Sequence, residues 1–158
     1  MSRPLVIDTN IVLDLFLFDD PAAHPLKQEL DSGAARWLAT AAMRCELARV
    51  LGYPNIARWL ERHGRDVARV GADVLARFDQ IARLHDAAAP APLLCRDPDD
   101  QPFIDLAWAH GADLASKDGR VLELWRRLAP RIAPHVAPHL APHVKLYVKP
   151  HRDSWLSA

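Results

Sequence analysis

Leu5-Val6-Ile7-Asp8-Thr9-Asn10 sets a short apolar run directly against an acid and two polar residues. Three apolar residues that stop at a polar trio read as a buried strand, and Thr9 or Asn10 can cap the apolar helix that follows. The unit is strand, sharp turn, helix, with Asp8 at the carboxyl end of the strand. The rest of the chain shows whether this unit is repeated and what joins Asp8 there.

Downstream, His24 to Leu30 reads as a second short helix ended by Ser32-Gly33, and Ala35 to Thr40 as a strand. Ala42 to Leu51 has the alanine content and spacing of a helix, stopped by Gly52-Tyr53-Pro54. Between Arg65 and Asp86, Val67, Val70, Val74, Phe78 and Ile81 recur at three or four residues. Asp73/Arg77 and Asp79/Arg83 are spaced to pair on other faces, which predicts one long amphipathic helix. After the Ala- and Pro-rich linker Ala87 to Pro92, Leu93-Leu94-Cys95 reads as a short strand and Asp97-Pro98-Asp99-Asp100 as a turn. Gln101 to His110 then reads as a helix stopped by Gly111, Leu114-Ala115-Ser116 as a strand, and Gly119 to Leu128 as a helix. Strands alternating with helices predict an α/β fold, a mainly parallel sheet covered on both faces. In such sheets ligands bind beyond the carboxyl ends of the strands. Asp8, the Asp97–Asp100 turn and Asp118 are all expected at that edge.

Composition bounds the function. A length of 158 residues, half of them apolar, suits one domain with a sizeable core. No stretch approaches the ~20 apolar residues of a membrane span, and Asp14, Asp19 and Asp20 interrupt the early Leu13 to Phe18 run, which is no signal peptide either. Cys45 and Cys95 make neither a close metal-binding pair nor a disulfide framework, so a reduced cytoplasmic setting and structural burial are expected for them. Twenty basic residues cancel twenty acidic ones, without the excess of a non-specific nucleic-acid binder. The distribution is uneven, however: six aspartates fall between Asp97 and Asp118, and most Arg lies along Arg36 to Arg83 and Arg120 to Arg131. A neutral total can hide an acidic pit with an Arg rim.

The acids point to one chemistry when taken together. Hydrolysis of a phosphodiester needs a source of hydroxide and a way to hold negative charge, and carboxylate-bound Mg²⁺ or Mn²⁺ supplies both. Taken singly, Asp8, Asp100 and Asp118 are explained as helix caps or turn residues favoured by a helix dipole. Glu46 alone is explained as a solvated partner of Arg49. Yet Glu46 is one of only four Glu and sits amid Met43, Cys45, Leu47 and Val50, where an unpaired charge is costly. A convergent set of carboxylates implies a cation, because like charges at short range raise one another's pKa.

The quoted start, Met43-Arg-Cys-Glu-Leu-Ala-Arg-Val-Leu51, and Arg96-Asp-Pro-Asp-Asp-Gln-Pro-Phe103 through Ala112-Asp-Leu-Ala-Ser-Lys-Asp118 together resemble PIN domains. The resemblance is strongest to the branch described as toxin components of toxin–antitoxin pairs, and it spans roughly residues 4 to 128. It implies a three-layer α/β/α sandwich, an Mg²⁺- or Mn²⁺-dependent ribonuclease, RNA as substrate, a homodimer and a small antitoxin partner. The family's acids fall on Asp8, Glu46, Asp100 and Asp118. Asp100 is preferred to Asp99 because the third acid precedes the glycine of the next helix by eleven residues, here Gly111. Asn10, Asp97, Asp99 and Ser116 are supporting residues on the same basis, and Asp105 is expected to point away. Ser116-Lys117-Asp118 departs from the usual Thr with Gly or Arg but keeps hydroxyl and acid.

Residues 1–130 are expected to form the nuclease domain. Residues 131–158 are expected to be a Pro/His-rich linker and a last strand, Val144 to Val148, of the same domain. Ala-Pro-His repeats from Ala133 to Val144 forbid a regular helix, and His135, His139 and His143 fit a solvated linker better than a metal site. Lys117, Arg120 or Arg44 are candidates for phosphate contacts. Trp37, Trp59, Trp108 and Trp125 fit core packing better than base stacking. Two rivals stand beside the nuclease. A phosphoryl-accepting Asp8 would want a second Asp at position 10, which is Asn. A non-catalytic module would have kept the fold to bind RNA or protein.

Overall fold

A computed structural model describes residues 2–118 apart from Leu93 and Arg96, together with Leu124 and Arg127. Its sheet has four parallel strands in the order β3-β2-β1-β4, comprising β1 (Arg3–Ile7), β2 (Ala35–Ala39), β3 (Arg83–Leu84) and β4 (Asp113–Ala115). The helices are α1 (Thr9–Phe16), α2 (His24–Asp31), α3 (Ala41–Leu51), α4 (Pro54–Arg62), α5 (Val67–Ile81) and α6 (Gln101–His110). The architecture is α/β, as expected.

β1 lies at the centre because both its faces are apolar: Leu5, Val6 and Ile7 are buried between β2 and β4. β2 puts Trp37 into the core against Phe16 of α1 and Phe78 of α5. Parallel strands joined by right-handed crossovers place α1 to α5 on one face, and the reversed crossover through α6 covers the other. α6 buries Phe103, Ile104, Leu106 and Ala107 and packs on β1 and β4. Its turn into β4 is tight, so α6 runs against the strands and starts at their carboxyl edge. Gly111 ends it at φ 57 in the left-handed region. A Cβ there would meet nothing within 4 Å. Gly111→Ala is therefore expected to cost about 1–2 kcal/mol through backbone strain and not through a clash. Urea unfolding measures this, and Asn at 111 should recover part of the loss.

Several expectations are corrected. The helix foreseen to Asp86 stops at Ile81, where Ala82 turns extended and β3 pairs with β2. Its apolar periodicity also ends at Ile81, so the last residues had no buried face to continue. Pro54 does not merely stop α3 but opens α4 from its first turn, where the missing N–H costs nothing. Leu94 and Cys95 are not in a strand, and Leu94 is 74% exposed. α6 side chains pin that segment instead: Ala91 N–H donates to Asp105 at 2.7 Å, and Cys95 N–H donates to Gln101.

Asp79 pairs with Arg44 and Arg77 with Asp31, rather than with their helical neighbours. Cys45 is exposed, because Met43, Leu47 and Val50 fix the buried face of α3 and position 45 falls opposite. Trp37, Trp59 and Trp108 pack on the core as expected. The helix foreseen over Gly119 to Leu128 is described only at Leu124 and Arg127, both helical. Arg120, Trp125, the Ala-Pro-His repeat and the strand foreseen at Val144 to Val148 lie outside the described residues. No helix among the described residues is long and apolar enough to cross a membrane.

Candidate active site

The carboxyl ends of β1 and β4 meet at Asp8. Its N–H donates to Ala115 O at 2.9 Å, which extends the strand pairing by one residue and fixes where the side chain starts. Neither Thr9 nor Asn10 caps α1. Asp8 does, with Oδ1 accepting from Asn10 N–H at 3.0 Å. Its other oxygen, Oδ2, accepts from the Ser116 hydroxyl at 2.9 Å, and both side chains are buried. Capping and site-building are therefore performed by the same carboxylate, one oxygen for each.

Glu46 enters from α3. Thr40 caps that helix through its hydroxyl, and Met43, Leu47 and Val50 hold its inner face down. Glu46 lies on the flank of that face, half-buried, and its Oε2 accepts from the Thr9 hydroxyl at 2.7 Å. Thr9 adjoins Asp8, so this bond ties α3 to the start of α1. The other side of Glu46 opens on a cleft of about 150 Å³ that also touches Met43, Pro98, Asp99 and Phe103. Glu46 thus faces the acidic turn across the cleft.

That turn is shaped by Asp97, whose Oδ1 accepts from Asp99 N–H at 3.0 Å. Asp100 follows as the first residue of the α6 boundary, with Oδ2 buried. Among the described residues no strand leads directly into this turn. The start of α6 brings it to the carboxyl edge, whereas Asp8 and Asp118 are brought there by strands. Asp118 completes the edge beyond β4, its N–H donating to Ser116 Oγ at 3.1 Å. Ser116 is consequently shared, donating to one acid and accepting from the backbone of the next.

Electrostatics connects Asp8 with two of the other three acids. Burial holds the Asp8 carboxyl above the ordinary carboxylate range, the bonds from Asn10 and Ser116 pull it back, and the charges of Glu46 and Asp118 push it up again. Glu46 and Asp118 are therefore both close enough to Asp8 for their charges to act on it. Among the described residues no group of three or more His, Cys, Asp or Glu is drawn up as a ready metal cluster. The donors nevertheless suit a hard divalent ion, since all are carboxylate oxygens. Mg²⁺ commonly keeps several waters and takes only one or two carboxylates directly.

Three residues take roles that the sequence did not indicate. Thr9 positions Glu46, and Asp105 is a buried anchor that accepts from Ala91 N–H and Gln101 Nε2, both at 2.7 Å. Asp14, inside the apolar stretch of α1, is buried and takes Lys117 as its partner at 2.9 Å. A charge within an apolar helix was the signal available for Asp14, the same one that marked Glu46. Two of the phosphate-contact candidates are engaged elsewhere: Lys117 with Asp14, and Arg44 with Asp79 through two bonds.

The sequence pattern of one protein family, described as PIN domain, matches residues 4–114. A search of curated proteins finds no match.

Proposed function

Since the chain belongs to the PIN-domain family, whose members are generally nucleases, we propose that it is a divalent-metal-dependent ribonuclease. The observation that carries this reading is the buried Asp8 carboxylate where β1 and β4 end, bonded to a Ser116 hydroxyl that also holds the Asp118 amide. Asp8, Glu46, Asp100 and Asp118 would hold Mg²⁺ or Mn²⁺. When bound, the cation lowers the pKa of water and stabilises charge on the phosphate. Asp8 is held in one orientation by Asn10 and Ser116, so no rotamer search is needed to present it. Thr9 occupies Glu46 Oε2, which leaves Oε1 to act as a ligand or to take the proton of an attacking water. Asn10, Asp97, Asp99 and Ser116 orient these acids.

The finer assignments belong to the same proposal: a cytoplasmic toxin, active as a homodimer and neutralised by a small antitoxin. Residues 1–130 would be the nuclease domain, and residues 131–158 a tail of the same domain. Single-stranded RNA incubated with Mg²⁺ should be cut, and a chelator should stop the cutting. Glu46→Gln is expected to slow cleavage by about 10²–10⁴-fold if Glu46 serves as base. Calorimetric titration of Mn²⁺ gives the independent reading. No Mn²⁺ binding by the wild type would remove the metal site, and binding without cleavage would leave a non-catalytic module. Growth arrest on expression, relieved by the product of a small upstream gene, tests the toxin assignment.

A further inference from the structure

Lys117 stands between the two residues that engage the Asp8 region, yet it reaches away from them. Ser116 donates to Asp8 and holds the Asp118 amide, while Lys117 Nζ lies 2.9 Å from Asp14 Oδ2. Asp14 is on α1, beyond the first turn that Asp8 caps. The segment after β4 is therefore fastened to the same helix at two levels, by Ser116 at its cap and by Lys117 further along. The Asp14 side chain is only 8% exposed and that of Lys117 24% exposed, flanked in sequence by buried Leu13 and Leu15 on one side and buried Ser116 on the other.

We propose that the Asp14–Lys117 pair is a positioning device that sets Asp118 opposite Asp8, an inference that rests on the nuclease reading above. A buried ion pair is weak evidence for stability, because desolvating two charges offsets most of their attraction, and apolar residues can often replace it without loss. What such a pair fixes is register. Ser116 ties this segment to Asp8 and holds the Asp118 amide, but both bonds run through one hydroxyl. With Lys117 bonded to Asp14, the backbone at 117 has a second fixed point, and Asp118, one residue on, has little freedom left. Partners that orient the ligands of a metal site typically affect affinity or activity by 10–100-fold when removed.

The test uses the full chain carrying Lys117→Met, Asp14→Asn or Lys117→Arg, with Arg3→Met as a comparison. Arg3 bonds Glu29 and Asp113 near the opposite end of β4, so its loss weakens a tether of the same strand without touching the Asp118 segment. Lys117→Met and Asp14→Asn are expected to weaken Mn²⁺ binding by about 10-fold or more and to lower kcat with little change in KM. Lys117→Arg should restore both, and Arg3→Met should lower the melting temperature alone. Wild-type Mn²⁺ affinity in a less stable Lys117→Met would overturn the proposal, leaving the pair a structural bond only. A second, metal-free reading is amide hydrogen exchange. Loss of the pair should speed exchange at Asp118 while β4 stays protected, and unchanged exchange there would also overturn it. If the wild type binds no Mn²⁺ and cuts no RNA, the nuclease reading fails, while the exchange result still decides whether the pair fixes Asp118. Where one variant does not fold, the other member of the pair supplies the answer.

Discussion

Asp8→Asn is expected to abolish metal-dependent RNA cleavage, by at least about 10²–10³-fold, and at the same time to make the metal-free protein more stable at neutral pH. The two effects share one cause. Asp8 is buried and sits near the charges of Glu46 and Asp118, so its carboxyl is held above the ordinary range. A group whose pKa is higher folded than unfolded stabilises the fold fully below its unfolded pKa and loses that contribution as pH rises through its folded pKa. Asn keeps the shape, the cap from Asn10 N–H and a bond with Ser116, but carries no charge. The variant should therefore match the wild type in acid and exceed it as pH rises towards neutrality, in urea melts taken across that window without metal. Saturating Mn²⁺ should reverse the order. At about 100 times Kd a ligand adds about 2.7 kcal/mol, which is a rise of roughly 5–10 °C in Tm for a chain of this size. The wild type should show that rise and Asp8→Asn should not. A variant that is less stable than the wild type at neutral pH, or that keeps the rise, would contradict the assignment of Asp8.

Trp37→Ala is expected to cost about 3–5 kcal/mol, a large share of the roughly 5–15 kcal/mol that holds a typical domain together. Trp37 is 1% exposed at the centre of β2. Its ring stacks on Phe16 at 6.1 Å and meets Phe78 edge-on at 4.9 Å. One side chain therefore joins the sheet to α1 and to α5, and its removal leaves a cavity between three elements that cannot all close on it. In urea the midpoint should fall with little change in slope. A loss below about 1 kcal/mol would mean that the helices collapse onto the sheet and that Trp37 is not the joint.

Much of the architecture was legible because local and tertiary preferences agree. Ala42 to Leu51 and Gln101 to His110 were predicted within a residue, since residue spacing and the stop at Gly52 or Gly111 coincide there. Legibility failed where packing overruled a local pattern. Leu93-Leu94-Cys95 has strand composition, but Leu94 and Cys95 lie outside the sheet, where Ala91 and Cys95 N–H groups bond α6 side chains. Two residues at Arg83–Leu84 carry too little pattern to signal a strand, and they become β3 only because β2 offers a free edge. Cys45 was expected inside by residue type, yet the phase of α3 turns it outward.

Read alone, the sequence determined the alternation of strands and helices, the parallel sheet, the candidate acids Asp8, Glu46, Asp100 and Asp118, and through its motifs the family. The elements are written in short windows, whereas the choice of the four acids rests on their combination and on the resemblance to the family. Only the tertiary structure decided which polar groups are already committed: Asp8 to Asn10 and Ser116, Glu46 to Thr9, Lys117 to Asp14 rather than to a phosphate. The last pair joins residues 103 positions apart. No local pattern encodes such a distance, because a side chain's partner is set by which strand ends the sheet brings together.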